Sequence, residues 1–299
     1  MYDICIIGGG PAGLTAALYS ARAGRSTVIV EEKFYGGQMA ETSVIENMPG
    51  SPDAAGWELT MRFAQQVTDM QVEAVYEKAS KLSPGPDHTE ITTDSGRKIS
   101  ARRVILAMGV RRRHLGVPGE DRLTGHGVGF CAVCDGAFFR DRDVAVVGGG
   151  NTALEDALYL SGICRRVYLL VRGAQFRGQE TLAQRVAQKE NIQVLLETQV
   201  TEILGDDTVS GICIRRQDQP ETIPLSGVFV AIGLRPEDAL YRDILEVSPE
   251  GYVAAGEDCR TSCPGIFAAG DIRTKEIRQI VTALGDGAVA AELAGRELQ

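Results

Sequence analysis

Asp3-Ile4-Cys5-Ile6-Ile7-Gly8-Gly9-Gly10-Pro11-Ala12-Gly13 decides how this chain folds. The largely apolar start predicts a strand covered on both faces, as in a parallel sheet. A G-x-G-x-x-G loop follows at Gly8, Gly10 and Gly13, and Pro11 opens a helix through about Ala23 that is closed by Gly24. Gly8 permits a tight turn, Gly10 lets backbone approach a pyrophosphate, and Gly13 lets helix and strand pack closely. The helix start at Pro11 and Ala12 offers free N–H groups and a positive dipole to phosphate. Ser26 to Val30 reads as the second strand of a βαβ unit, and it ends in Glu31, 18 residues beyond Gly13. A carboxylate there accepts hydrogen bonds from ribose hydroxyls.

The pattern returns further on. Val144 to Val147 reads as a strand, Gly148-Gly149-Gly150-Asn151-Thr152-Ala153 as the loop, Asn151 to Ser161 as the helix and Val167 to Val171 as the next strand. Ala153 takes the third glycine's place. The position 18 residues beyond it is Val171 rather than an acid, and Arg172 and Arg177 follow, which suit a 2′-phosphate. The plainer alternative is a vestigial nucleotide fold that binds nothing. Around the first unit we expect a helix near Trp57 to Asp69 and strands near 71–75, 90–93 and 103–107, the last closing at Met108-Gly109. Strands near 193–196, 211–214 and 227–233 complete the second. Gly265 to Asp271 reads as a strand and an acidic turn, and a last helix runs from about Ile277 to Gly295. Leu115 to Glu120 and Glu237 to Glu250 read as linkers. The expected fold is α/β, with two Rossmann-like, three-layer ββα nucleotide-binding domains. The second (115–245) is inserted into the first (1–114 and 246–299).

Between the loops stands Phe130-Cys131-Ala132-Val133-Cys134-Asp135-Gly136. A zinc site would need a second cysteine pair or two histidines at ligand spacing. Cys259 and Cys263 have three residues between them, and the only histidines are His88, His114 and His126, so no such set forms and no metal is expected. The redox reading needs a thiolate, and C-x-x-C contexts lower one thiol pKa from about 8.5. Asp135 suits a general acid/base that protonates a departing thiolate, or, more plainly, a helix cap. Gly270-Asp271, just past a buried strand, suits a flavin ribityl hydroxyl or is an ordinary acidic turn. Arg111-Arg112-Arg113 reads as a solvated loop, or as an attraction site for an acidic partner or a phosphate.

The 299 residues are 44% hydrophobic and carry a net charge of −9, which suits two domains and argues against general nucleic-acid binding. Aromatics at 6% argue against base-stacking platforms. Seven cysteines, five of them isolated, fit apolar fillers rather than a disulfide framework. No charged leader begins the chain, and no apolar run approaches the ~20 residues of a membrane helix. A soluble, cytoplasmic protein is expected.

Over essentially its whole length the chain resembles the low-molecular-weight thioredoxin reductases. The matching pieces are Gly8 to Gly13, Gly36-Gly37-Gln38, Glu46-Asn47-Met48-Pro49-Gly50, Cys131 to Gly136, Gly148 to Leu160, Val230-Ala231-Ile232-Gly233, Phe267 to Asp271 and Arg278-Gln279. The resemblance implies an FAD-dependent oxidoreductase, a homodimer, and an inserted nicotinamide domain carrying the dithiol. Cys134 would face the flavin, Cys131 would attack the thioredoxin disulfide, and Asp135 would be the acid/base. Gly37, Gln38, Asn47, Gly109, Gly270, Asp271, Arg278 and Gln279 would join the first loop and Glu31 around FAD. Gly148, Gly150, Asn151, Thr152, Ala153, Arg172 and Arg177 would meet NADPH. A rotation of one domain against the other would bring the dithiol alternately to flavin and partner.

One departure bears on the electron donor. The family's His-Arg-Arg-Asp-x-Phe-Arg-Ala reads Val171-Arg172-Gly173-Ala174-Gln175-Phe176-Arg177-Gly178 here. Each lost guanidinium contact is worth roughly 1.5–3 kcal/mol. Some relatives of the family lack this signature and take electrons from reduced ferredoxin, so NADPH, then ferredoxin, then NADH are the expected donors. The usual Ala-Thr-Gly turn reads Ala107-Met108-Gly109. The rivals are a ferredoxin–NADP reductase, which needs no dithiol, and a non-catalytic redox sensor.

Overall fold

The computed structural model describes every residue except Glu41, Ser43, Val44, Glu46, Pro52, Asp53 and Gln299, so the first residue of the family-like segment 46–50 lies outside the described residues. The chain forms two compact units, one of residues 1–111 and 235–299 and one of residues 112–234.

In the first unit, strand Tyr2–Ile7 lies parallel to Thr27–Val30 on one side and to Lys98–Leu106 on the other. Glu73–Val75 extends the sheet beyond Thr27–Val30, and Ile266–Ala268 pairs in parallel with Lys98–Leu106. Alternate residues serve two layers, as a two-residue period requires. Ile4, Ile6, Ile29, Ile105 and Phe267 pack against Ala12, Leu14, Ala16 and Ala17 of helix Pro11–Arg22 and against Ala290, Ala291 and Ala294 of helix Ile280–Arg296. Cys5, Ile7, Val28, Val104 and Leu106 face the opposite layer, with Leu82, Ile91, Tyr241 and Val253. Each fully buried Ile or Leu contributes about 1.5–3 kcal/mol. Lys98–Leu106 joins the two parts of one seven-stranded sheet. Its first half pairs antiparallel with Thr89–Thr93, which pairs with Ala79–Pro84, and its second half joins the parallel strands.

The second unit repeats this plan. Its parallel sheet runs in the order Ile192–Leu195, Arg166–Leu170, Asp143–Val147, Gly227–Val230, Val128–Gly129. Helices Asn151–Ser161 and Glu180–Ala187 cover one face through Leu154, Leu160, Leu182 and Val186. A three-stranded antiparallel sheet, Thr198–Leu204, Gly211–Arg216 and Gln219–Pro224, covers the other through Val200, Ile203, Ile212, Ile214 and Ile223. Three layers, ββα, result in each unit.

Neither expected linker is loose. In 115–120, Leu115 and Val117 pack on the second unit's core, and buried Glu120 accepts the N–H groups of Leu115 (2.9 Å) and Gly116 (2.8 Å). A Cβ on Gly119 would lie 2.0 Å from the Ile203 carbonyl oxygen. In 237–250, Leu240, Tyr241 and Leu245 pack into the first unit's core, so residues 235–245 fold with that unit. The polar composition hid three apolar anchors. The arginine run is not a plain solvated loop either, because Arg111 pairs with Glu32 and with Glu237 (3.1 Å).

Candidate active site

Each unit carries its own set of candidate residues. In the first, helix Pro11–Arg22 starts at Gly10 with no side-chain cap, so its first N–H groups are available to a ligand. Gly8 sits at φ +108°, and a Cβ there would lie 2.4 Å from the Ala107 carbonyl oxygen. A Cβ on Gly13 would lie 1.8 Å from the Gly8 carbonyl oxygen, whereas Gly10 faces open space. The fold thus fixes two glycines, and the third leaves room above the helix start. Glu31 accepts the Gly9 N–H at 2.6 Å and the Lys33 N–H at 3.0 Å. Gly36 donates to the Gly9 carbonyl at 2.8 Å, which brings Gly37 beside Gly10. The Gln38 amide donates to the Val110 carbonyl at 2.9 Å, next to Gly109.

The Gly270–Asp271 turn closes this concavity. A Cβ on Gly270 would lie 2.9 Å from that of Ala12. Asp271 Oδ1 is buried with no hydrogen-bond partner among the described residues. Burial pushes its carboxyl pKa up, against the pull of Arg278 and Lys275. A buried acceptor without a donor costs about 1–3 kcal/mol, so the site is built for a group that brings a hydroxyl. Arg278 Nε donates to the Asp271 carbonyl at 3.3 Å, and its guanidinium stacks 4.1 Å above the Tyr252 ring. Asn47 donates to the Gln279 side chain at 2.9 Å. The structure therefore gathers Gly8, Gly10, Gly13, Glu31, Gly37, Gln38, Gly109, Gly270, Asp271, Arg278 and Gln279 in one unit. Sequence reasoning missed Arg273, Lys275 and Asp286, a buried ion cluster beneath the turn that belongs to no motif.

In the second unit, Cys131 and Cys134 are joined as a disulfide, S–S 2.04 Å. Cys131 begins the one-turn helix Ala132–Asp135, and the Cys134 N–H donates to its Sγ at 3.2 Å. Asp135 ends that turn and its side chain makes no capping bond. Burial raises its pKa, and the Arg112 cation opposes this. Arg112 also stacks 5.5 Å from the Phe130 ring centre, and His114 meets the same ring edge-on at 5.2 Å. Val133 and Phe138 are exposed beside the pair. The other five cysteines are unpaired, and burial pushes Cys5 and Cys259 up to about 12 and Cys164 up to about 11, as suits inert fillers.

The second loop repeats the first. Gly148 sits at φ +152°, with a virtual Cβ 2.2 Å from the Ala231 carbonyl oxygen, and Gly150 faces open space. Asn151 Oδ1 accepts the Gln179 N–H at 2.7 Å, and Thr152 is exposed at the helix start. Val171 fills the place of the acid, and Arg172 and Arg177 are exposed, with no ion pair among the described residues.

Two dinucleotide-type loops on two three-layer units, with a C-x-x-C pair able to cycle between disulfide and dithiol, define a flavin-linked disulfide oxidoreductase. The chain belongs to the pyridine nucleotide-disulphide oxidoreductase family, whose model matches residues 2–287. Within it the chain groups with thioredoxin reductases. It is 39% identical to the thioredoxin reductase of Listeria monocytogenes over 302 aligned residues, covering all of this chain and 94% of that one. The crystal structure of the Streptococcus pyogenes thioredoxin reductase is 41% identical, with TM-score 0.80 over 100% of this chain and 98% of that one. The bifunctional thioredoxin reductase/thioredoxin of Mycobacterium leprae is 39% identical over 97% of this chain and 64% of that protein. Among the described residues no helix is long and apolar enough to cross a membrane.

Proposed function

We propose that this chain is an FAD-dependent thioredoxin-disulfide reductase that passes electrons from NADPH to FAD, to Cys131/Cys134 and on to a thioredoxin disulfide. The observation that carries this is the bonded cysteine pair, with a backbone donor on Cys131 Sγ and a half-buried carboxyl one residue beyond Cys134. The fusion of reductase and thioredoxin in the Mycobacterium leprae relative supports the partner.

The first loop, Glu31, Gly37, Gln38, Asn47, Gly109, Asp271, Arg278 and Gln279 would hold FAD, with Asp271 Oδ1 accepting a ribityl hydroxyl. Bound FAD would supply a carrier that takes an electron pair from a nicotinamide and gives it to a disulfide. Once the pair is reduced, the Cys134 N–H stabilises a thiolate on Cys131. That thiolate attacks one sulfur of thioredoxin's disulfide, the S–S bond breaks, and the other sulfur leaves and takes a proton. Cys134 then attacks Cys131 Sγ in the mixed disulfide, which restores the Cys131–Cys134 bond and releases the second thiol. Two thiols are oxidised and one disulfide is reduced. Asp135, its pKa raised by burial, holds and returns the proton. Exposed Val133 and Phe138 offer the partner an apolar rim. Gly148, Gly150, Asn151, Thr152, Ala153, Arg172 and Arg177 would hold NADPH. A homodimer would cover Trp57 and Met61, exposed on helix Gly56–Asp69. Reduced ferredoxin as donor is the second reading, favoured by Val171, Gly173 and Ala174 standing in place of the family's charged residues.

Anaerobic addition of NADPH, NADH and reduced ferredoxin to the yellow holoprotein, followed by thioredoxin, tests this. NADPH is expected to bleach the flavin, and Cys134→Ser is expected to keep FAD while losing thioredoxin turnover. Bleaching by ferredoxin alone would move the donor role to ferredoxin. Bleaching by none of the three, or undiminished turnover in Cys134→Ser, would sink the proposal.

A further inference from the structure

The cluster beneath the Gly270–Asp271 turn is organised by one carboxylate. Asp286, on the last helix, accepts Arg273 Nε on Oδ2 and Arg273 Nη2 on Oδ1, both at 2.8 Å. Oδ2 also accepts Lys275 Nζ at 2.8 Å and the Gly270 N–H at 2.9 Å. The side chains of Arg273, Lys275 and Asp286 are 3%, 8% and 8% exposed, so water cannot replace a lost partner. One residue beyond Gly270, the Asp271 carboxylate behaves differently, because its buried Oδ1 has no partner among the described residues. Both buried cations therefore bind Asp286, Arg273 Nη2 also reaching Glu257 at 3.4 Å, while Lys275 lies near enough to Asp271 to pull on its carboxyl. Gly270 also holds the turn at φ +80°, where an added Cβ would lie 2.9 Å from that of Ala12, so the turn and the phosphate-type helix start are packed together.

We propose that Asp286 is a positioning residue for the flavin dinucleotide. It occupies Arg273 and Lys275 and pins the Gly270 N–H, and in doing so keeps Asp271 Oδ1 unpaired and open to a hydroxyl donor. This inference rests on the FAD reading of the site and deepens it. With the carboxylate removed, Arg273 keeps Glu257 at 3.4 Å, whereas Lys275, whose charge already acts on Asp271, is free to turn to it, and the acceptor meant for the cofactor is taken.

The test is a double-mutant cycle read by FAD titration of apoprotein, with melting of each apoprotein recorded alongside. Asp286→Asn is expected to weaken FAD binding roughly tenfold to hundredfold, the loss of one charge-assisted contact. In an Asp271→Ala background the same substitution is expected to change affinity by less than about twofold, the limit of independent sites. Equal losses in both backgrounds would show that Asp286 merely supports the fold and would overturn the proposal. If Asp286→Asn yields no folded apoprotein, Lys275→Gln goes through the same cycle. It removes a cation that could capture Asp271 and leaves Arg273 on Asp286, so FAD affinity is expected to hold within about twofold, and a tenfold loss would overturn the proposal. A wild-type chain that takes up no FAD would overturn the site reading itself, a result separable from additivity.

Discussion

The two glycine loops of this chain are copies that have kept one property and lost another. In both, the first glycine adopts positive φ, +108° at Gly8 and +152° at Gly148, with a carbonyl oxygen of the adjoining segment where a Cβ would stand. In both, the second glycine is open and the helix start carries no side-chain cap. They part at the end of the next strand. Glu31 reaches back to the Gly9 N–H at 2.6 Å, whereas Val171 presses its Cγ1 against Gly149, 2.8 Å from a virtual Cβ. Backbone clashes leave the cradle no freedom to drift, while the residue that ends the next strand is a half-buried acid in one unit and a buried valine in the other. The two loops therefore agree more strictly in backbone than in the side chain set against it.

The sharpest break of this comparison is at the third loop position. A Cβ on Gly13 would lie 1.8 Å from the Gly8 carbonyl oxygen, a clash that no rotamer relieves, whereas the second loop already carries Ala153 there. Gly13→Ala is expected to cost about 1–3 kcal/mol or more through overpacking and to leave the purified protein without FAD. Ala153→Gly is expected to cost only about 1 kcal/mol of helix propensity, with the KM for NADPH unchanged. Thermal melting and the flavin absorbance of the purified variants decide between them. A yellow Gly13→Ala protein of normal stability would show that the first loop tolerates what the second does, and the contrast would fail.

Glu31 carries the next largest difference. Glu31→Gln keeps the shape and removes the charge that receives the Gly9 N–H. FAD affinity is expected to fall roughly tenfold, and the KM for NADPH is expected to stay put. Equal shifts in both would mean that the two loops do not serve separate nucleotides.

Much of this was legible in the sequence because its causes are local. A strand, a tight glycine turn and a helix start follow one another within a dozen residues, and steric rules fix each step. The parallel strands and the C-x-x-C turn were readable for the same reason. Three kinds of feature were not. Strands Ala79–Pro84, Thr198–Leu204 and Gln219–Pro224 carry mixed polar residues, because each belongs to an outer layer with one wet face. The stretches around Glu120 and Tyr241 looked like linkers, because a few buried anchors are diluted by surface residues. The Asp286 cluster joins residues 13 and 11 positions apart across a turn, a spacing with no periodic signature.

Gly173 offers the finest test of what separates the loops. It stands where the resembling family has its second arginine. Its backbone is not in the left-handed region, and a Cβ there would meet nothing nearer than the Gln175 carbonyl oxygen at 3.5 Å. The position is exposed and lies between Arg172 and Arg177, so nothing in the fold forbids a guanidinium. Gly173→Arg is expected to lower the KM for NADPH about tenfold, because one charge-assisted contact to a 2′-phosphate is worth roughly 1.5–3 kcal/mol. Such a contact acts alike on ground and transition states, so kcat should not move. NADH lacks the phosphate and should gain nothing. A parallel gain with NADH would assign the effect to general attraction by positive charge. No gain with either would mean that the rim of the second loop does not receive the phosphate, and the copy would then be a cradle that has kept its shape without its ligand.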